Sequence, residues 1–285
     1  MAQLNLYSDI SSIAQSVQED AIFVVRETGQ MQGLVTVFAD MTGLNTRKGY
    51  QFNQGTAQVV GEDDDLTSRA FTPAIDQTLT PAEIGLQFFI SDSRAESEAP
   101  ESILRDASLE LGLAAGDKIN TDLIGDMASL TGGTVGASGT AITWGYVSAA
   151  IGQARNANKS NAIPLACVVH GYQWSVLAKA ASIAGTSLAQ APGVTEQMTR
   201  SGFVGEFMGV PLYQVFGGIS GTDFTGAVFP RVSLAIDWRR AIRVRPERDE
   251  SRRGVELNMS AVYAHGVWRP TRGIQMLFDA TAPSS

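Results

Sequence analysis

The stretch Val59-Val-Gly-Glu-Asp-Asp-Asp-Leu-Thr-Ser-Arg-Ala-Phe71 sets the first constraint on the fold. Four adjacent carboxylates, Glu62, Asp63, Asp64 and Asp65, repel one another and cannot enter a core. They separate two stretches in which apolar and polar residues alternate. Upstream, Tyr50, Phe52, Gln54, Thr56, Gln58 and Val60 share a face. Downstream, Ile84, Leu86, Phe88 and Ile90 alternate with Gly85, Gln87, Phe89 and Ser91. Both are strand patterns. The economical reading is one long β-hairpin with an acidic tip, its regularity broken at Pro73 and Pro81. An isolated two-stranded ribbon is marginal in water, so this one is expected to lie on something outside its own domain.

Pro100 opens the strongest helical pattern, at a first-turn position where its missing N–H is tolerated. Ile103, Ala107, Leu111, Ala114, Ala115, Ile119, Leu123, Met127 and Leu130 keep a helical period, which predicts a helix over about 101–130. A Gly-rich loop is expected over 131–139. Thr143 caps a second helix to about Ala157, Ile163–Val169 reads as a buried strand, and 172–181 and 195–202 read as further helices. Strands are expected over Gly33–Ala39, Phe207–Val215, Ala227–Asp237, Ala241–Arg245, 255–263 and Gly273–Phe278. In the first residues, Ile10, Ile13, Val17 and Ala21 fit one helical face. The tail Ala280–Ser285 is small and polar. No internal repeat is visible. The order is α+β, without the regular β-α-β alternation of a dinucleotide-binding or barrel enzyme.

Composition narrows the function classes. The net charge is −8 over 285 residues, a poor balance for general nucleic-acid binding. One cysteine, Cys167, excludes an internal disulfide and a Cys-rich zinc site, and its apolar surroundings read as core. The two histidines, His170 and His265, each follow an apolar run beside a glycine and read as structural. No metal or cofactor is expected. No G-x-S-x-G or complete phosphate loop occurs: Gly132–Gly139 lacks the terminal Gly-Lys-Ser/Thr and follows a helix. Neither a signal peptide nor a membrane-spanning run is present, so folding in a reducing cytoplasm is expected.

Charge is unevenly spread. Residues 1–100 hold 14 acids against 5 bases, and residues 231–272 hold 10 arginines against 5 acids. The run Trp238–Arg253 carries Arg239, Arg240, Arg243, Arg245, Arg248, Arg252 and Arg253. Those forks suit carboxylates as well as phosphates, and a plain solvated face is the third reading. The acidic run likewise reads as a solvated loop, a loose cation site or an intermolecular contact.

The segment order and three loose motifs resemble a known family. Phe207-Met-Gly-Val-Pro-Leu-Tyr-Gln-Val215 is similar to its glycine-turn-Val-Pro strand. Arg248-Asp-Glu, then Leu257-Asn-Met-Ser-Ala-Val-Tyr263 and Val267-Trp-Arg-Pro-Thr-Arg-Gly-Ile274, resemble its closing stretch. The family is the tailed-bacteriophage major capsid proteins of the Hong Kong 97 fold. The order spans nearly the whole chain, and order and spacing carry the likeness more than any single motif.

The resemblance implies an N-terminal arm over 1–46 and an extended loop over 47–94 that crosses a neighbouring subunit. It implies a peripheral domain over 95–139 and 246–280 containing the spine helix, an axial domain over 140–245, and a tail over 281–285. It implies hexamers and pentamers closing into an icosahedral shell around double-stranded DNA held without sequence-specific contact. Separate scaffolding and portal proteins, and decoration proteins, are the implied partners. The implied place is the virion, assembled in the host cytoplasm and without a membrane. Only 46 residues precede the loop, so a fused scaffold is not expected. Residues 49–94 contain no lysine, so no covalent crosslink from the loop to Asn258 is expected. An encapsulin-type compartment is the alternative within the fold, and a soluble α/β hydrolase-like enzyme the alternative outside it. On this reading Glu62, Asp63, Asp64 and Asp65, with Arg69 beside them, contact the 239–253 arginines of an adjacent subunit.

Overall fold

The computed structural model describes residues 30–52, 57, 59–60, 68, 70–97, 100–182 and 205–283. A 3-10 turn at Gln30–Leu34 leads into β1 (Thr36–Phe38), β2 (Arg47–Phe52), β3 (Pro73–Leu79) and β4 (Ala82–Ser91). Helices α1 (Asp92–Ser97) and α2 (Pro100–Asp126) follow, then β5 (Thr134–Gly136), α3 (Trp144–Asn158), β6 (Leu165–His170) and α4 (Gly171–Ser182). The rest is β7 (Glu206–Phe207), β8 (Val210–Val215), β9 (Asp223–Pro230), β10 (Leu234–Asp249), β11 (Gly254–Val267) and β12 (Ile274–Asp279). The expected helical pieces at Ile10–Ala21 and 195–202 lie outside the described residues.

Two sheets organise the molecule. The first has four strands in the order β1-β10-β11-β4, and the second six in the order β5-β12-β9-β6-β8-β7. The 27 residues of α2 span about 40 Å at a rise of about 1.5 Å per residue. Leu111, Ala115, Ile119 and Leu123, spaced by four, form a fully buried stripe. They pack on Ile236, Ile242 and Val244 of β10 and on Leu257, Met259, Ala261 and Tyr263 of β11. Period-two alternation sends Ala235, Asp237 and Ala264 to the other face of that sheet. The second core joins Val147, Ala150, Ile151 and Ala154 of α3 to Cys167, Val169, Val228, Met276 and Phe278. Thr143 caps α3, its hydroxyl accepting the Tyr146 N–H at 3.4 Å.

Several expectations change. The stretch at 84–91 is a strand, but it does not pair with 50–60. β4 pairs antiparallel with β11 over ten residues, Ala82 opposite Tyr263 through Ser91 opposite Gly254. The return strand of the ribbon is β3, from Pro73 to Leu79. Pro73 starts that strand, a position that needs no N–H, and Pro81 separates β3 from β4. Alternation marks a strand without naming its partner. The expected strand at Gly33–Ala39 shrinks to Thr36–Phe38, and the expected loop at 131–139 contains β5, parallel to β12. Phe207–Val215 is a tight hairpin with Met208 at φ 54° and Gly209 at φ 72°, the left-handed pair that a two-residue turn uses. A 3-10 turn at Arg231–Ser233 divides Ala227–Asp237, and beyond it β10 runs unbroken for 16 residues.

Gly136 shows why the β5 edge needs a glycine: its φ is 91°, and a Cβ there would overlap the Phe278 ring. Gly136→Ala is expected to destabilise the full chain by about 2–4 kcal/mol in urea unfolding, from left-handed strain plus overpacking. A loss below about 0.5 kcal/mol would show that this edge does not constrain the second core.

Candidate assembly surface

The ribbon β2–β3 stands on the second face of the four-stranded sheet, and its root is held by charge. Asp237 is fully buried. Arg47 donates to it from Nε at 2.8 Å and also pairs with Asp40. Arg239 brings Nη2 to 2.7 Å from Asp237, but without hydrogen-bond alignment, so that approach is a charge contact. Arg239 is the extra residue of a β-bulge, since register with β11 breaks between Trp238 and Arg240. Arg47 also lies over the Phe38 ring, 4.3 Å from its centroid. Hydrogen bonding to Arg47 holds Asp40 below the ordinary carboxylate range, and bonding to Asp237 raises the Arg47 guanidinium.

A second set of contacts holds the other side of the root. Arg269 reaches Asp76 on β3 at 3.2 Å and the Tyr50 carbonyl on β2 at 3.0 Å. The Trp268 ring lies against Gly49, where an added Cβ would press on it at 3.1 Å. Leu79 packs on Ala235 and Ala264. The root is therefore fixed by ion pairs, one indole and one leucine.

The outer half of the ribbon has no such support among the described residues. Tyr50, Phe52 and Ile75 are about half exposed and Phe71 is 73% exposed. Phe52 and Phe71 stack on each other at 4.7 Å with planes 1° apart, and the described residues place no other ring against the pair. Apolar side chains grouped on a narrow ribbon mark a contact site. The acids Glu62, Asp63, Asp64 and Asp65, and Arg69, lie outside the described residues.

Four of the 239–253 arginines have acidic partners within the chain. Arg239 is buried in the root. Arg240 pairs with Glu83 on β4. Arg248 grips Asp92 through two bonds of 2.9 Å and also meets Glu250. Arg252 pairs with Glu256 at 2.8 Å and covers the Phe89 ring. The Arg248 fork holds Asp92 below its ordinary range. The registers of β10, β11 and β4 set Glu83 and Asp92 beside Arg240 and Arg248, and local sequence does not reveal that register; Glu250 and Glu256 are near neighbours in sequence. Arg243, Arg245 and Arg253 have no carboxylate at ion-pair distance among the described residues. Arg245 and Arg253 are exposed, and Arg243 is half-buried.

The histidines and the cysteine fall in structural settings. His170 is buried and accepts the Tyr172 N–H at Nδ1, and burial lowers its pKa. The Cys167 thiol is pushed up to about 12 by burial. His265 sits against α2. Sequence reasoning missed Arg47, Asp76, Asp237 and Arg269. One signal was present: Asp237 is a lone acid inside the apolar run Leu234–Trp238, and a buried acid needs a cation.

No family model matches the chain, and no curated protein matches it in sequence. Solved structures do. The head structure of Helicobacter pylori bacteriophage KHP40 matches with TM-score 0.67 at 13% identity, over 86% of this chain and 88% of that one. A structure of Mycobacterium phage Che8 matches with TM-score 0.63 at 18% identity, over 84% and 86%. The virus-like particle from Pyrococcus furiosus matches with TM-score 0.58 at 10% identity, over 92% and 98%. The chain has the Hong Kong 97-type capsid fold. In this capsid fold the ribbon leaves the four-stranded sheet with a rigid root and an open apolar end.

Asp237→Asn leaves two arginines around a neutral side chain. It is expected to destabilise the chain by about 3–5 kcal/mol, read by urea unfolding. A loss below about 1 kcal/mol would show that the root is held by packing alone.

Proposed function

We propose that the chain is a major capsid protein that assembles as hexamers and pentamers into an icosahedral shell around phage double-stranded DNA. The observation that carries this reading is the ribbon: on a capsid fold, its base is fixed in cis and its aromatic end has no cover among the described residues. Residues 1–46 are the arm, the loop lies within 47–94, and α2 is the spine of a peripheral domain formed by 95–139 and 246–280. Residues 140–245 form the axial domain. The aromatic end lies on a second copy, where it buries Phe52 and Phe71. The acids Glu62 to Asp65 meet the arginines not already paired in cis, Arg243, Arg245 and Arg253, on that copy. Exposed ion pairs are worth only about 0–1 kcal/mol each, so burial of the aromatics supplies affinity and the charges set register.

The net charge of −8 suits a wall that holds packaged DNA without gripping it. Separate scaffolding and portal proteins, and decoration proteins, complete the proposed virion, which is assembled in the host cytoplasm. A compartment shell of the encapsulin type would use the same contacts. That two of the matched structures are a bacteriophage head and a phage supports the capsid reading.

Electron microscopy of the purified chain, alone and with its scaffold, tests this. Closed particles or ring-shaped capsomers are expected from the wild type. Phe52→Ser with Phe71→Ser should abolish them and leave the urea midpoint nearly unchanged. Reversal of Glu62, Asp63, Asp64 and Asp65 to lysine should reduce particle yield at least about ten-fold, a change of about 1.4 kcal/mol. Normal particles from the aromatic double variant would defeat the reading of the ribbon.

A further inference from the structure

Lys118, Asp122 and Asp126 follow one another at four-residue spacing along the last turns of α2, and all three reach β11 or one another. His265 lies between the two carboxylates. Its Nδ1 is 2.9 Å from Asp126 Oδ2, and its Nε2 is 3.6 Å from Asp122 Oδ2. Tyr263 donates its hydroxyl to Asp122 Oδ2 at 2.7 Å, and Lys118 Nζ reaches Asp122 Oδ1 at 2.6 Å. Strand β10 sets Ile236 opposite His265 and so adds no charge there. The neighbouring Asp237 stands opposite Ala264 and faces the other side of the sheet. Among the described residues, the titratable groups at this joint are therefore Lys118, Asp122, Asp126, Tyr263 and His265.

The electrostatics of the joint are unbalanced without a proton on the histidine. Two carboxylates near the C-terminal end of a helix sit where its dipole favours cations. Lys118 offsets Asp122. Among the described residues no other cation offsets Asp126 when His265 is neutral, and burial pushes the Asp126 carboxyl up. The Asp126 hydrogen bond raises His265 against the opposing effect of burial.

We propose that protonated His265 is a latch that seats the C-terminal end of α2 on β11 in a pH-dependent way. His265 in the folded chain keeps its proton to higher pH than in the unfolded chain. The stabilisation is therefore full below the ordinary histidine value and is lost as pH rises through the raised folded value. Asp126, also raised, acts in the same direction. The latch is closed in mild acid and released in mild base, while Met127 and Leu130 remain in the core and keep the helix from leaving.

Hydrogen exchange by mass spectrometry on the full chain, corrected for the intrinsic effect of pH, reads the joint through peptides spanning 118–130. Wild-type protection there is expected to fall at least about three-fold between about pH 6 and about pH 8.5. His265→Gln should show low protection at both pH values. His265→Lys, which keeps its charge throughout, should stay protected at both. A wild type with flat protection would overturn the latch, as would a His265→Gln chain that loses protection in parallel with it. If His265→Gln does not fold, the isosteric Asp126→Asn serves instead: a flat profile supports the latch, and a wild-type profile overturns it.

Discussion

A two-stranded ribbon has no inside. Among the described residues, strands β2 and β3 pair only with each other, so each of their faces must find cover elsewhere or remain in water. At the root, one face is covered by Trp268, by Ala235 and Ala264 against Leu79, and by the Arg47–Asp237 pair. Beyond Tyr50 that cover ends. Much of the surrounding structure serves the root: β1 brings Phe38 under Arg47, the bulge in β10 turns Arg239 toward Asp237, and the turn after β11 presents Trp268 and Arg269. A root held this firmly limits the directions in which the aromatic end can point, which lowers the ordering cost of its binding to another copy.

The buried charges at the root favour geometry over raw stability. A buried ion pair repays its desolvation only with good alignment, and apolar replacements of similar volume are often no less stable. Here Asp237 accepts from Arg47 with good geometry and meets Arg239 without it. Such a network resists slippage, because any shift of β2 over the sheet takes from buried Asp237 its one well-aligned donor, Arg47. Leucines at the same positions would tolerate sliding. For a ribbon proposed to place Phe52 and Phe71 on another molecule, register matters more than a few kcal/mol.

Much of this was legible in the sequence, for reasons that can be named. The long helix announced itself because Leu111, Ala115, Ile119 and Leu123 repeat at a helical period behind Pro100. The closing strand did so because Leu257, Met259, Ala261 and Tyr263 alternate. Both are local signals. Strand partners are not local. The pairing of β4 with β11 joins residues about 170 apart, and nothing in Ile84–Ser91 names Gly254–Tyr263 as its neighbour. The cis partners of two arginines were hidden for the same reason: Glu83 and Asp92 reach Arg240 and Arg248 only after the sheet forms, whereas Glu256 lies four residues from Arg252. Asp237 was the one visible warning, a single acid in an apolar strand that required a buried cation.

Hydroxyl-radical footprinting of the full chain, unassembled and in particles, tests the central claim most directly. Tyr50, Phe52 and Phe71 are open in the isolated chain, whereas Phe224 and Phe278 are buried in both states and serve as references. If the ribbon end lies on a second copy, its reactivity falls at least about five-fold on assembly, the change expected when an exposed aromatic is fully covered. The reference residues should not change. Phe52 and Phe71 as reactive in particles as in the isolated chain would contradict the account, because the ribbon would then have no partner in the shell.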